Sequence, residues 1–182
     1  MKLLKAGRKF LLSFIFVFGL SAVMVPLSLD KLVKKADLVV LGHCIDKKVY
    51  QKGKMIWTEY TIRIYEVLKG AKVKEVVVRQ PGGEVGDRGI KISGTVSFFP
   101  LEETLLFLKK RQNVFEPLGW VQGKFKIYYD PLSKKKYAYR QFGDVLFLEK
   151  GKTIRKPAPQ KIELDVLKAQ IRNILSKQIK EK

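Results

Sequence analysis

Over residues 55–68 the chain alternates with a period of two: Ile56, Thr58, Tyr60, Ile62, Ile64 and Glu66 oppose Trp57, Glu59, Thr61, Arg63, Tyr65 and Val67. A helix spreads such a pattern around its circumference, whereas a half-buried strand sorts it onto two faces. The apolar, β-branched run over 38–50 predicts a second strand, and Lys52-Gly53-Lys54 between the two predicts the turn of a hairpin.

The rest of the chain repeats that grammar in shorter units. Residues 73–79, 90–93, 95–99, 104–110, 114–118, 124–129, 136–142 and 144–148 read as short strands separated by Gly, Pro and Asp. Helical signals are confined to the ends. Ser28 is an N-cap for a short helix over 29–36, and Ile162, Leu164, Leu167, Ile171, Ile174, Leu175 and Ile179 mark one stripe of a terminal helix. Strands in series with helices only at the ends predict a mainly β fold: a small antiparallel barrel with a short N-terminal helix and an amphipathic C-terminal helix.

Ahead of this body, residues 1–9 carry Lys2, Lys5, Arg8 and Lys9, and residues 10–25 carry no charge. A basic stretch followed by an apolar run too short for a comfortable membrane span is the pattern of a secretory signal. Residues 1–27 are therefore read as a signal peptide or signal anchor, 28–149 as the β-barrel domain, 150–160 as a basic Pro-containing linker, and 161–182 as a C-terminal helix docked on the barrel. The protein is expected to be exported, either periplasmic or tethered to the outer face of the inner membrane. With 182 residues there is room for one domain, and the net charge of +20 favours anionic partners.

Three segments in order, LDKLVKKADLVVLGHC, WTEYTIRIYEVLKG and VVVRQPGGEVGDRG, are followed by Leu105-Leu106-Phe107-Leu108 and by Gly119-Trp120-Val121-Gln122-Gly123-Lys124-Phe125. This order resembles an exported bacterial domain of unknown function, similar to netrin-type and tissue-inhibitor-of-metalloprotease-type OB barrels and sometimes found ahead of matrixin-like metalloproteases. The resemblance implies an OB/netrin-like barrel with an extracytoplasmic interaction role, in which a protease is one kind of partner. Such inhibitors ligate the protease zinc through an N-terminal cysteine. Here Cys44 stands mid-strand, so that mode of inhibition is not carried over.

One histidine and one cysteine leave no recognisable metal set, no His-dependent triad and no cofactor motif. No catalytic, cofactor-binding or metal-binding residue is assigned, and the chain is read as a non-enzyme; the carboxylates against that reading are Glu84, Asp87, Glu102 and Glu103. His43 and Cys44 are neighbours and face opposite ways on a strand, so Cys44 is expected to be a small buried residue. The candidate interaction loop comprises Pro81, Gly82, Gly83, Glu84, Asp87 and Arg88; as a plain connection, its Glu84 or Asp87 would pair with Arg79 or Arg88. A candidate basic and aromatic patch comprises Lys124, Lys126, Tyr128, Lys135, Lys136 and Arg140, with Phe125, Ile127 and Tyr129 turned to the core. The expected function is an exported, non-catalytic binding module of the cell envelope that partners another envelope protein. The alternative is a polyanion or anionic-lipid binder acting through the basic hairpin and the C-terminal helix. Export disfavours nucleic acid, and no small-molecule ligand is indicated.

Overall fold

The structure, a computed structural model, describes residues 22–149 and 153–180. Residues 1–21, read above as part of a signal peptide or signal anchor, lie outside the described residues. In chain order the elements are β1 (Val23–Met24), α1 (Leu29–Lys35), β2 (Leu38–Lys52), β3 (Met55–Lys69), β4 (Glu75–Pro81), β5 (Gly83–Val85), β6 (Arg88–Ile90), β7 (Glu103–Arg111), β8 (Val114–Pro117), a 3-10 turn (Trp120–Gly123), β9 (Lys124–Asp130), β10 (Lys135–Arg140), β11 (Leu146–Glu149), β12 (Thr153–Arg155), β13 (Gln160–Glu163) and α2 (Leu164–Lys180). The fold is mainly β, with two helices and several antiparallel sheets.

The main sheet runs β13-β10-β9-β7-β2-β3-β4-β8, and β8 is also hydrogen-bonded to β7. Its pairings are antiparallel except that of β4 with β8 at Val78 and Phe115. Two smaller sheets flank it: β1-β11-β12, in which β1 runs parallel to β11, and the β5–β6 hairpin.

Two uninterrupted apolar runs organise the interior. Leu38–Leu41 of β2 lie antiparallel to Leu105–Leu108 of β7, with Leu38 opposite Leu108 and Leu41 opposite Leu105. Strand alternation sends Val39, Leu41, Leu105 and Phe107 to one face, where they pack with Phe125, Ile127 and the helices. Leu38, Val40, Leu106 and Leu108 go to the other, packing with Tyr60, Ile62, Val76 and Val78. These two four-residue runs are apolar without a break because both of their faces are covered, whereas β3 alternates because part of one face meets water.

Each helix is tied down by its own sequence. The Ser28 hydroxyl accepts from the Lys31 N–H at 3.2 Å, and the Lys69 ammonium donates to the carbonyls of Val33 and Ala36, both at 2.7 Å, at the far end of α1. In α2, Leu164, Leu167 and Ile171 are buried in the helix-side cluster, with Ile174 and Leu175 half-buried beside them. Lys168 and Arg172 of α2 both reach Glu66, at 2.6 and 3.1 Å.

Four features depart from the sequence reading. Residues 22–27, assigned there to the leader, belong to the folded body: β1 pairs with β11, and the Leu27 N–H donates to Gln122 Oε1 at 2.7 Å. Residues 95–99 alternate like a strand but form none. The buried Gln80 side chain, whose Oε1 accepts from the Val96 N–H at 2.9 Å while its amide donates to the Val96 carbonyl, takes the place of a strand partner. The helix starts at Leu164 rather than 161, because Gln160–Glu163 pairs with β10, and the linker stretch contains β12. Tyr129 is 56 % exposed, unlike Phe125 and Ile127 on the same face.

Candidate functional site

The glycine-rich loop is a short hairpin rather than an open connection. Gly83 has φ +129°. A Cβ there would stand 2.5 Å from Thr58 Oγ1 and 2.7 Å from Val49 Cγ1, so only glycine lets the hairpin lie against the floor formed by β2 and β3. The Thr58 hydroxyl donates to the Gly82 carbonyl at 2.7 Å and fixes the hairpin's root. Between the hairpin and the 95–97 segment opens a cleft of about 680 Å³. Thr58, Tyr60 and Gln80 line it along with Pro81, Gly82, Gly83 and Glu84, and Lys47 and Lys91 add positive charge.

Of the six loop residues read from the sequence, four therefore form the cleft wall, while Asp87 and Arg88 are exposed at the hairpin's turn. Arg79 is engaged by Glu59 at 2.7 Å instead, and Glu84 and Asp87 form no ion pair among the described residues. The sequence reading missed Gln80, Thr58, Lys47 and Lys91. The signal for Gln80 was there: in Val76, Val78, Gln80 a polar residue continues an inward-facing apolar series.

The basic and aromatic patch does not hold together. Lys124, Lys126, Tyr128 and Lys135 share one face of the β9–β10 hairpin, since Tyr137 pairs with Tyr128 and Tyr139 with Lys126. On that face Tyr128 stacks on Tyr137 with ring centroids 5.8 Å apart, and the Lys161 ammonium lies 4.2 Å from the Tyr137 centroid. Lys136 and Arg140 are of the other parity and point to the opposite face. Lys136 is held by Glu103 at 2.8 Å. Arg140 is 6 % exposed, its guanidinium 4.4 Å from the Phe125 ring centroid and 5.0 Å from that of Phe142.

Lys124 is also withdrawn from water. It pairs with Glu102, whose side chain is 4 % exposed, and lies over the Phe98 ring. Burial pulls the Lys124 ammonium below its ordinary pKa, with Glu102 opposing the shift. Glu103 turns the other way, accepting from the Tyr65 hydroxyl and from Lys136, so the adjacent carboxylates do not converge on one site.

His43 lines a shallow hollow with Tyr65, Leu101, Glu103 and Lys136, on the face away from Cys44. Cys44 is 3 % exposed, its thiol donates to the Asp46 carbonyl at 3.4 Å, and burial pushes its pKa up. The thiolate is therefore scarce at neutral pH, and the native protein should react slowly with a thiol reagent and the denatured protein quickly. Cys44→Ala should cost about 1 kcal/mol or less in a denaturant melt. Rapid reaction of the native thiol would contradict this packing. Among the described residues no group of three or more His, Cys, Asp or Glu side chains could hold a metal ion.

Compared with known proteins, the chain matches no family model and no curated protein.

Proposed function

We propose that the protein is an exported, non-catalytic binding module of the cell envelope, built as an OB/netrin-like barrel, that holds an extended segment of another envelope protein in the cleft under the β5–β6 hairpin. The barrel reading is supported by the pairing order: β7, β2, β3, β4 and β8 are each paired to the next, β8 returns to β7, and β4–β8 is parallel. Such an order suits a five-stranded OB barrel. Residues 91–102 join β6 to β7 without a helix and bring Val96 and Phe98 against Tyr60, Ile62 and Leu106.

One observation carries the binding reading. β2 pairs with β7 only over Leu38–His43, whereas its pairing with β3 runs to Lys52. The outer edge of its second half therefore has no strand partner among the described residues, and this edge reaches the cleft at Lys47 and Val49. An open edge beside a cleft suits a peptide that adds as a strand, with main-chain hydrogen bonds for affinity and pockets for alternate side chains. Lys47 and Lys91 favour an acidic segment. A protease is one partner the family resemblance suggests.

Full-length protein should retain an envelope partner from detergent extracts, and Lys47→Glu with Lys91→Glu should release it, while Lys177→Glu on α2 should not. Retention unaffected by the cleft charges would count against the reading. Export is supported by the basic-then-apolar order of residues 1–21. A reporter enzyme that works only outside the cytoplasm, fused after Lys182, should be active; an inactive fusion present at normal abundance would refute export.

A further inference from the structure

We propose that the face formed by residues 22–27, Trp120 and the carboxyl end of α1 is a docking surface for an anionic lipid bilayer. It lies outside the cleft under the β5–β6 hairpin, with Ile92 between the two, and the proposal does not depend on that reading.

Two hollows make up this face. The first, about 590 Å³, is lined by Val23, Met24, Val25, Leu27, Ile92 and Trp120. Val23 and Val25 are 50 % and 63 % exposed. The polar needs of this strap are met from within: Gln122 accepts from the Leu27 N–H at 2.7 Å and donates to the Val25 carbonyl at 3.2 Å. What the strap turns outward is hydrocarbon. Trp120 follows the left-handed Gly119 and is itself left-handed, at φ 56°, an unfavourable conformation for so bulky a residue. Strain of this kind gathers at functional surfaces, and here it sets the indole at the lip of the hollow.

The second hollow, about 540 Å³, is lined by Leu118, and the next residue, Gly119, lines the first. Five cations line it, Lys34, Lys35, Lys69, Lys109 and Arg111, against one carboxylate, Asp37. Lys34, Lys109 and Arg111 make ion pairs with Asp30, Asp37 and Glu116 whose members are 37–61 % exposed, and such pairs hold their partners weakly. Lys35 forms no ion pair among the described residues.

An aromatic ring and aliphatic side chains beside a cluster of cations match the boundary between acyl chains and anionic headgroups. A free phosphate would use the second hollow and leave the first unexplained. The chain's own course fits the same orientation: residues 10–21 are uncharged and lead directly into the strap at Ala22. In contrast, the apolar stripe of α2 faces inward, with Leu164, Leu167 and Ile171 buried.

The chain's two tryptophans supply the test. Full-length Trp57→Phe, with Trp120 as its sole indole, and Trp120→Phe, with Trp57 alone, are reconstituted with vesicles of phosphatidylcholine bearing brominated acyl chains, with or without phosphatidylglycerol. Trp120 emission should shift to the blue and be quenched when phosphatidylglycerol is present, Trp57 emission should not, and Lys35→Glu with Arg111→Glu should abolish the quenching without moving the melting temperature. Equal quenching of both indoles, quenching indifferent to phosphatidylglycerol, or an unquenched Trp120 would overturn the proposal, and the last would mark the face as one that a protein covers.

Discussion

Truncation after Lys156 is expected to yield a protein that aggregates or has lost its cooperative melt. It removes β13 and α2, and with them Leu164, Leu167 and Ile171, which are 6 %, 0 % and 0 % exposed. Burying three such side chains is worth about 5–9 kcal/mol of gross transfer energy, and the half-buried Ile162, Ile174 and Leu175 add to it. That is comparable with the ~5–15 kcal/mol that holds a whole domain folded. The cut also uncovers Phe125, Ile127 and Ala138 and leaves β10 as an open edge. Loss of the half-buried Lys168–Glu66 pair and of the more exposed Arg172–Glu66 pair adds to this, the latter contributing little. A truncated protein with an unchanged thermal transition would contradict the helix's place in the core.

Arg140→Ala should cost about 3–5 kcal/mol, far more than its place in a basic strand suggests. Its guanidinium donates to the Gln122 carbonyl and, at 2.5 Å, to Gln160 Oε1, so it ties the 3-10 turn to β13 between two phenylalanine rings. Desolvation lowers its pKa to about 10, yet at neutral pH it remains a cation. Removing it leaves the buried Gln122 carbonyl without a donor, frees Gln160 of β13 and opens a void beside Phe125. Lys126→Ala, on the exposed side of the same hairpin, should change stability by about 0.5 kcal/mol or less. Chemical denaturation of the two variants decides the matter, and a cost for Arg140→Ala as small as that for Lys126→Ala would return Arg140 to the surface.

The long central strands announce themselves in the sequence. β2, β3, β7 and the Ser28 cap lie close to where period and capping chemistry put them. The 95–99 segment shows the limit. Thr95, Val96, Ser97 and Phe98 alternate like strand residues, but the backbone of Val96 is paired with the Gln80 side chain, contributed from the end of β4. No local pattern encodes that contact. The glycine-rich loop was legible as a candidate site because its glycines mark close approach. Its companions in the cleft, Lys47 and Lys91, were not, because only the fold of the long β2–β3 hairpin and of the 91–102 segment brings them there. Arg140 and Lys136 were grouped with Lys124 by proximity in sequence, though parity along β10 turns them to the other face.

The binding reading rests on the cleft being occupied in the cell, and site-specific photo-crosslinking reads this directly. A photoreactive residue replaces Glu84, exposed on the cleft wall, or in a parallel strain Leu132, which is 95 % exposed at the turn of the β9–β10 hairpin. Irradiating intact cells should give one discrete adduct with another envelope protein from position 84, and that adduct should be missing from position 132. Equal labelling at the two positions, or no adduct from position 84 in folded, exported protein, would contradict it.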